Sequence, residues 1–300
     1  MQTAATPSVA PELADALHHL PATDTAAPAC LNCGTPVPDR FCGHCGQAAA
    51  VHRLTVGHLL HELPHTVWHV DKGMFYTLRE LLLRPGPTIL GYLRGQRVRH
   101  FAPLSLLLLV TGLASFLAIK LRLVAMTNSL GTGASAELRA AQAHGAESVM
   151  HYLGWIYVAM SPVIGLFVRR ALRRTGLNLA EAMVAVLYVT AVGNLLSMLL
   201  LPAYFWTSTG AAYYTVSLAS SLLIIIYQGW AYGQLLHESP LSRFGRWWRG
   251  LLTAVAAYVL VMCGAIVLMF SLNWGAFQAA IHKEAQHRKA QAAHAAPAHP

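Results

Sequence analysis

Four of the five cysteines stand in two Cys-x-x-Cys-Gly units, Cys30-Leu-Asn-Cys33-Gly34 and Cys42-Gly-His-Cys45-Gly46, with eight residues between Cys33 and Cys42. In such a unit the chain folds into a knuckle whose backbone N–H groups point at the sulfurs, and the glycine accepts the positive φ that closes the turn. Two knuckles deliver four thiolates to one point, a donor set suited to tetrahedral zinc with bonds of about 2.3 Å. So short a segment has no room for an apolar core, so metal binding must supply most of its folding free energy. A redox-active Cys-x-x-Cys would open a helix in a βαβ context, and no such pattern surrounds these pairs. With four thiolates there is no open coordination position for water, so residues 30–47 read as a structural zinc ribbon. His44 is then surplus to the donor set. Few basic residues flank the ribbon (Arg40, Arg53), which argues against nucleic acid as its partner.

A second set of potential ligands follows. Val56, Leu59, Leu60, Leu63, Val67 and Val70 form one stripe at 100° per residue, and His58, His61, His65 and His69 fall on the opposite side. The i, i+4 pairs His61/His65 and His65/His69 can share an ion or titrate together, and they equally suit the solvated face of a helix lying on a bilayer. Pro64 interrupts this helix. After Asp71-Lys72-Gly73, a second amphipathic segment carries Met74, Phe75, Leu78, Leu81 and Leu82, and Arg84-Pro85-Gly86-Pro87 ends it. Arg94, Arg97 and Arg99 come next, placed to meet lipid headgroups or to hold this side of the chain in the cytoplasm.

The elements that carry these residues are set by composition. Hydrophobic residues make up 55% of the 300 and charged residues 11%, far from the roughly 25% charged of a soluble protein. Five apolar runs are long enough to cross a bilayer, at about 102–120, 150–168, 180–201, 214–236 and 251–271. The expected fold is an all-α polytopic membrane protein of about five transmembrane helices, with a small N-terminal zinc ribbon and juxtamembrane amphipathic helices over 51–100. Lys and Arg number eight before residue 102, four in 169–174 and three in 243–249, against six on the other side. That bias places the N-terminus in the cytoplasm, where thiolates stay reduced. Residues 1–29 lack a basic region followed by an apolar one and read as a disordered tail; 272–300, rich in Ala, His and Pro, reads as mostly disordered. Within the loop 127–149 a short helix is expected near Ala134–His144.

Trp155, Tyr157, Tyr204, Trp206, Tyr213, Tyr214, Trp247 and Trp248 are expected as an interfacial belt. Asn194 and Gln228 are the strongly polar residues at mid-span, suited to interhelical hydrogen bonds or to lining a solute path. Glu181 and Glu238 fall at cytoplasmic span ends. Pro162 is expected to kink the second span, and Cys263 to pack as a small apolar residue.

The order of motifs from Cys30 to Pro103 resembles the bacterial membrane family called domain of unknown function 3667. The residues that carry the likeness are the two cysteine knuckles, His52-Arg53-Leu54-Thr55, the His-rich helix, Asp71-Lys72-Gly73, the Leu-x-Arg-Pro-Gly at 82–86, and Tyr92-x-x-Gly95-x-Arg97-x-x-x-Phe101-x-Pro103. The resemblance implies an architecture, a zinc ribbon joined to a helical membrane domain, and no reaction. No GxSxG, HExxH or P-loop is present, so no enzyme activity is expected. The expected role is that of a bacterial inner-membrane protein whose cytoplasmic ribbon docks a protein partner or supports assembly. The alternatives are a small-solute transporter or channel using Asn194 and Gln228, and a metal-dependent enzyme on lipid using the histidine stripe.

Overall fold

In the computed structural model of the chain, residues 28–61, 73–121, 136–207 and 211–295 are described. They fall into two compact units, a head ending at Ala50 and a membrane unit beginning at Val51. Of the histidine stripe, His65 and His69 lie outside the described residues, as do the side chains of His58 and His61. The tail up to residue 27 also lies outside them.

The head is built twice from the same local rule, twelve residues apart. In the first copy Cys30 N donates to Thr35 O, Gly34 N to Cys30 O and Val37 N to Pro28 O; in the second Cys42 N donates to Gln47 O, Gly46 N to Cys42 O and Ala49 N to Arg40 O, all at 2.8–2.9 Å. Gly34 and Gly46 take φ of 78° and 75°, the left-handed conformation that closes each turn. A single antiparallel bridge clasps each knuckle, Ala29 to Pro36 and Phe41 to Ala48. The buried apolar cluster consists of Cys30, Val37 and Cys42, with Cys45 against it. The cysteines thus are most of the core.

The membrane unit is helical: α1 Val56–His61, α2 Gly73–Leu83, α3 Pro85–Leu93, α4 Pro103–Lys120, α5 Ala136–Ala171, α6 Leu179–Leu199, α7 Leu201–Trp206, α8 Ala211–Leu235 and α9 Arg243–Ala295. Five of these, α4, α5, α6, α8 and α9, are long and apolar enough to cross a bilayer, which makes the chain a multi-pass membrane protein. The central helix is α6. Two-thirds of its apolar window (67%) is buried inside the unit, against 17% for α9. Its near-continuous run of Ala, Val and Leu is what a helix enclosed on all sides requires, whereas α9 turns Leu252, Val255, Val259 and Ile266 outward.

Glycines set the closest approach. A side chain on Gly250 of α9 would begin 2.1 Å from the carbonyl oxygen of Gly229 and 2.5 Å from the nitrogen of Gly233. The Gly229-x-x-x-Gly233 face of α8 therefore meets α9 backbone to backbone, the small-residue contact that replaces the hydrophobic effect between helices in lipid.

Two sequence expectations are corrected. The second span is part of a 36-residue helix that begins at Ala136, so no separate short helix near 134–144 precedes it. The tail after 271 is helical to Ala295 rather than mostly disordered. Both extensions are rich in Ala and carry Glu and Gln, strong helix formers, and the prolines of the tail, Pro297 and Pro300, come after the helix. The extensions also pack on each other: Ala141 meets Phe277 and Ala280, with Leu138 and Met269 beside them. The expected span end is still marked, by non-helical backbone at Asn273, whose side-chain amide donates to Met269 O at 3.0 Å. The helical assignment of α5 runs on through Pro162. The ring leaves the Val158 carbonyl without its i+4 donor, and the Ser161 hydroxyl supplies one at 2.8 Å.

Candidate metal centre and polar joints

In the head, Cys30 Sγ and Cys45 Sγ are 3.6 Å apart, as are Cys33 Sγ and Cys42 Sγ. All four sulfurs lie within 4.8 Å of one another and are free thiols. Each contact joins one knuckle to the other, so the site exists only when both are folded. The four can hold one metal ion. Thr35, through its hydroxyl and backbone N–H, pulls the exposed Cys33 thiol down to about 6, toward the thiolate that metal binding needs. His44 is exposed and not part of the group.

In the membrane unit the first feature is a clamp. Arg53 donates to Glu181 through Nε (2.6 Å) and Nη2 (2.8 Å), and Nη2 also reaches Gly176 O at 3.0 Å. Glu181 is the N3 residue of α6. Its carboxylate accepts from Asn178 N, and Asn178 Oδ1 accepts from Glu181 N, a complete capping box. Asn178 Nδ2 then donates to Leu54 O at 3.0 Å. The pairing with Glu181 raises the Arg53 pKa further. Sequence reasoning placed Glu181 at a span end and missed the clamp. Asn-x-x-Glu directly before an apolar run was the available signal.

The segment from α2 to α4 is tied to the spans by a series of polar joints. Tyr227 OH on α8 donates to Leu81 O at 2.8 Å. Gly86 N donates to Gln234 Oε1 at 2.9 Å, and a side chain at Gly86 would begin 2.5 Å from Gln234 Cβ. Pro85 occupies the first turn of α3, where no donor is lost. Tyr92 meets Tyr188 edge-on at 5.5 Å, and Tyr188 OH donates to Phe101 O at 2.6 Å. Phe101 N in turn donates to Thr77 Oγ1. Gly95 turns the chain at φ 112°.

These joints fall on the very motifs singled out above. Residues 71–114 match the family model described as Protein of unknown function (DUF3667). The matched stretch takes in α2, α3, the turn after it and the first two-thirds of α4, and leaves out the head and the Arg53 clamp. No curated protein and no solved structure matches the chain. Within the match, the Arg-Pro-Gly and Tyr-x-x-Gly residues make structural joints.

The three arginines expected at lipid headgroups each have a protein contact. Arg94 pairs with Glu238, Arg97 Nη2 donates to His52 O at 2.6 Å, and Arg99 lies over the Tyr76 ring at 4.9 Å. Directly after them, His100 is buried against Tyr76. Burial, and then the charge of Arg99, lower its pKa, against a smaller opposing pull from Glu80.

At mid-span, Asn194 Nδ2 donates to Thr111 Oγ1 of α4 at 2.7 Å, and Tyr157 OH of α5 reaches Asn194 Oδ1 at a long 3.4 Å. Gln228 presses on Gly193 from α8. Asn194 and Gln228 line one cavity of about 190 Å³, with Thr190, Ser197, Tyr157 and Tyr204 among its walls. The structure thus brings these two polar residues together. Tyr157, expected in the interfacial belt, turns its hydroxyl toward Asn194 and lines this cavity. Cys263 is exposed on α9 rather than packed inside the unit.

Proposed function

We propose that this chain is a bacterial inner-membrane protein whose cytoplasmic head binds one structural zinc ion and docks a protein partner, while the helical unit anchors it. The observation that carries the reading is the pairing of a closed four-sulfur site with exposed apolar residues beside it. A zinc ion with four bonds of about 2.3 Å sets its sulfurs about 3.8 Å apart, and the cross-knuckle distances are 3.6 Å. Four thiolates leave no position for a reacting water, so the ion's chemistry is structural and no catalytic role is assigned. Leu31 and Phe41, each next to a ligand, are 51% and 63% exposed. Apolar side chains held outward by a rigid metal knuckle suit a protein-binding surface. The test is crosslinking from Phe41 in cells, with identification of the captured protein and zinc measured on the same sample. Cys42→Ser is expected to lose both zinc and partner while the chain still inserts. Capture of the same partner by a quadruple Cys→Ser variant lacking zinc overturns the reading.

A second reading is favoured by the cavity beside Asn194 and Gln228. Its walls carry hydroxyls and amides, with no carboxylate, Lys or Arg among them, a lining suited to a small neutral polar solute on its way across the membrane. Flux of urea or glycerol into proteoliposomes, abolished in Asn194→Leu, is the result this reading requires. Flux no faster than in protein-free vesicles rejects it. An enzyme acting on lipid through the histidine stripe is not proposed, because the histidine side chains of that stripe lie outside the described residues.

A further inference from the structure

We infer that the flank of the α8–α9 hairpin is a binding site for the headgroup of an anionic phospholipid. The turn from Leu235 to Arg243 joins two helices that meet at Gly229, Gly233 and Gly250. Beside that crossing lies a second cleft of about 190 Å³, lined by Trp230, Gly233, Gln234, His237, Arg243, Arg246 and Trp247. No carboxylate is among them. Arg246 Nη1 is fixed by a hydrogen bond to His237 O at 2.9 Å, which aims its guanidinium along the cleft wall. Arg243 is exposed and, among the described residues, has no ion-pair partner. Two guanidiniums in one cleft supply the forked donors that match a phosphodiester.

The neighbouring surface names the source of that phosphate. Trp248 stacks with Phe244 at 6.4 Å, nearly parallel, and Trp247 meets Phe244 at a tilt; all three are exposed. Exposed indoles beside basic residues at the end of an apolar span are the side chains that settle at headgroup level. From Trp248 an exposed apolar stripe runs down α9 through Leu252, Val255, Val259 and Met262. The stripe follows the helical repeat on the outer face of α9, and the ring of Trp247, which lines the cleft, lies 6.4 Å from that of Trp248, which heads the stripe, so the two indoles join the headgroup cleft to the acyl-chain track. A free phosphate would use the cleft and not the stripe. Another charged cleft among the described residues, lined by Arg53, Arg94 and Arg174, also holds Glu181 and Glu238, which take up two of its three guanidiniums. Basic clefts between spans are known headgroup sites, each basic residue adding about 1 kcal/mol.

The test is native mass spectrometry of the full-length protein in neutral detergent, titrated with phosphatidylglycerol or with phosphatidylcholine. One phosphatidylglycerol is expected to bind in preference to phosphatidylcholine. Arg243→Gln should weaken it about fivefold and Arg243→Gln/Arg246→Gln about thirtyfold. Arg243→Lys, which keeps the charge but not the fork, should lose less than Arg243→Gln, and Arg173→Gln/Arg174→Gln, a charge change of equal size elsewhere, should leave binding unaltered. Arg243→Gln, on an exposed side chain, keeps the test open should the double variant fail to fold. Equal binding of the two lipids overturns the proposal, as does full binding by Arg243→Gln or an equal loss in the Arg173/Arg174 variant. Displacement of the lipid by inorganic phosphate at equal concentration would show that the stripe contributes nothing, and would overturn it too.

Discussion

The head and the membrane unit solve the problem of holding a chain together in opposite ways. In the head the buried apolar cluster is two cysteines and one valine, and the backbone pattern of one knuckle is repeated in the next. Nothing there approaches a core, so order depends on four thiols meeting at one point. In the membrane unit a single apolar cluster runs from Leu54 to Ala257 through all the principal spans, and polar contacts act as joints at defined places. On the proposed reading one unit depends on a bound ion; the other depends on packing. A perturbation aimed at either should leave the other standing.

The sharpest break is at the thiols. Cys42→Ser, or a strong chelator, should abolish ordered structure in residues 28–50, since a structural zinc site contributes about 10–16 kcal/mol of apparent binding free energy at neutral pH. Proteolysis confined to the head, with unchanged thermal unfolding of the helical unit, is the expected record. The converse break is Gly250→Leu. With no space for even a Cβ at this crossing, α8 and α9 must separate, and the helical unit should lose about 1–3 kcal/mol while metal content stays constant.

A milder test concerns the clamp. Arg53→Gln should cost about 1–2 kcal/mol, because Glu181 is buried and loses a charged donor while Arg53 itself is well exposed and screened. Faster amide exchange at the first turn of α6 would report it. The smallest expected effect is a pH dependence at His100. Its folded pKa lies below the ordinary 6.5, so the unfolded chain takes up the proton more readily. Stability should therefore be fully present above pH 6.5 and decline as pH falls through the lowered folded value. His100→Gln should flatten that decline in a series of thermal melts.

The spans were legible in the sequence because lipid demands about twenty apolar residues with every backbone group paired inside the helix. Hydropathy reports that and nothing beyond the bilayer. It could not show that Ala136–Val149 and Leu272–Ala295 continue as helix, since alanine and charged residues read the same in a solvated helix as in a tail. The four cysteines were legible from spacing because the knuckle is a local structure. The Arg53–Glu181 clamp joins residues far apart in sequence, and only half of it, the Asn178–Glu181 cap, left a local trace. Arg94, Arg97 and Arg99 show the reverse limit. Their clustering suggested lipid, while Glu238, His52 and Tyr76, which meet them, lie elsewhere along the chain.

X-ray absorption at the zinc edge, on the intact protein purified without added metal, tests the contrast most directly. One zinc per chain with four sulfur neighbours at about 2.3 Å is the predicted result. A shell containing nitrogen or oxygen, or a purified chain with Cys30, Cys33, Cys42 and Cys45 joined as disulfides, would contradict it.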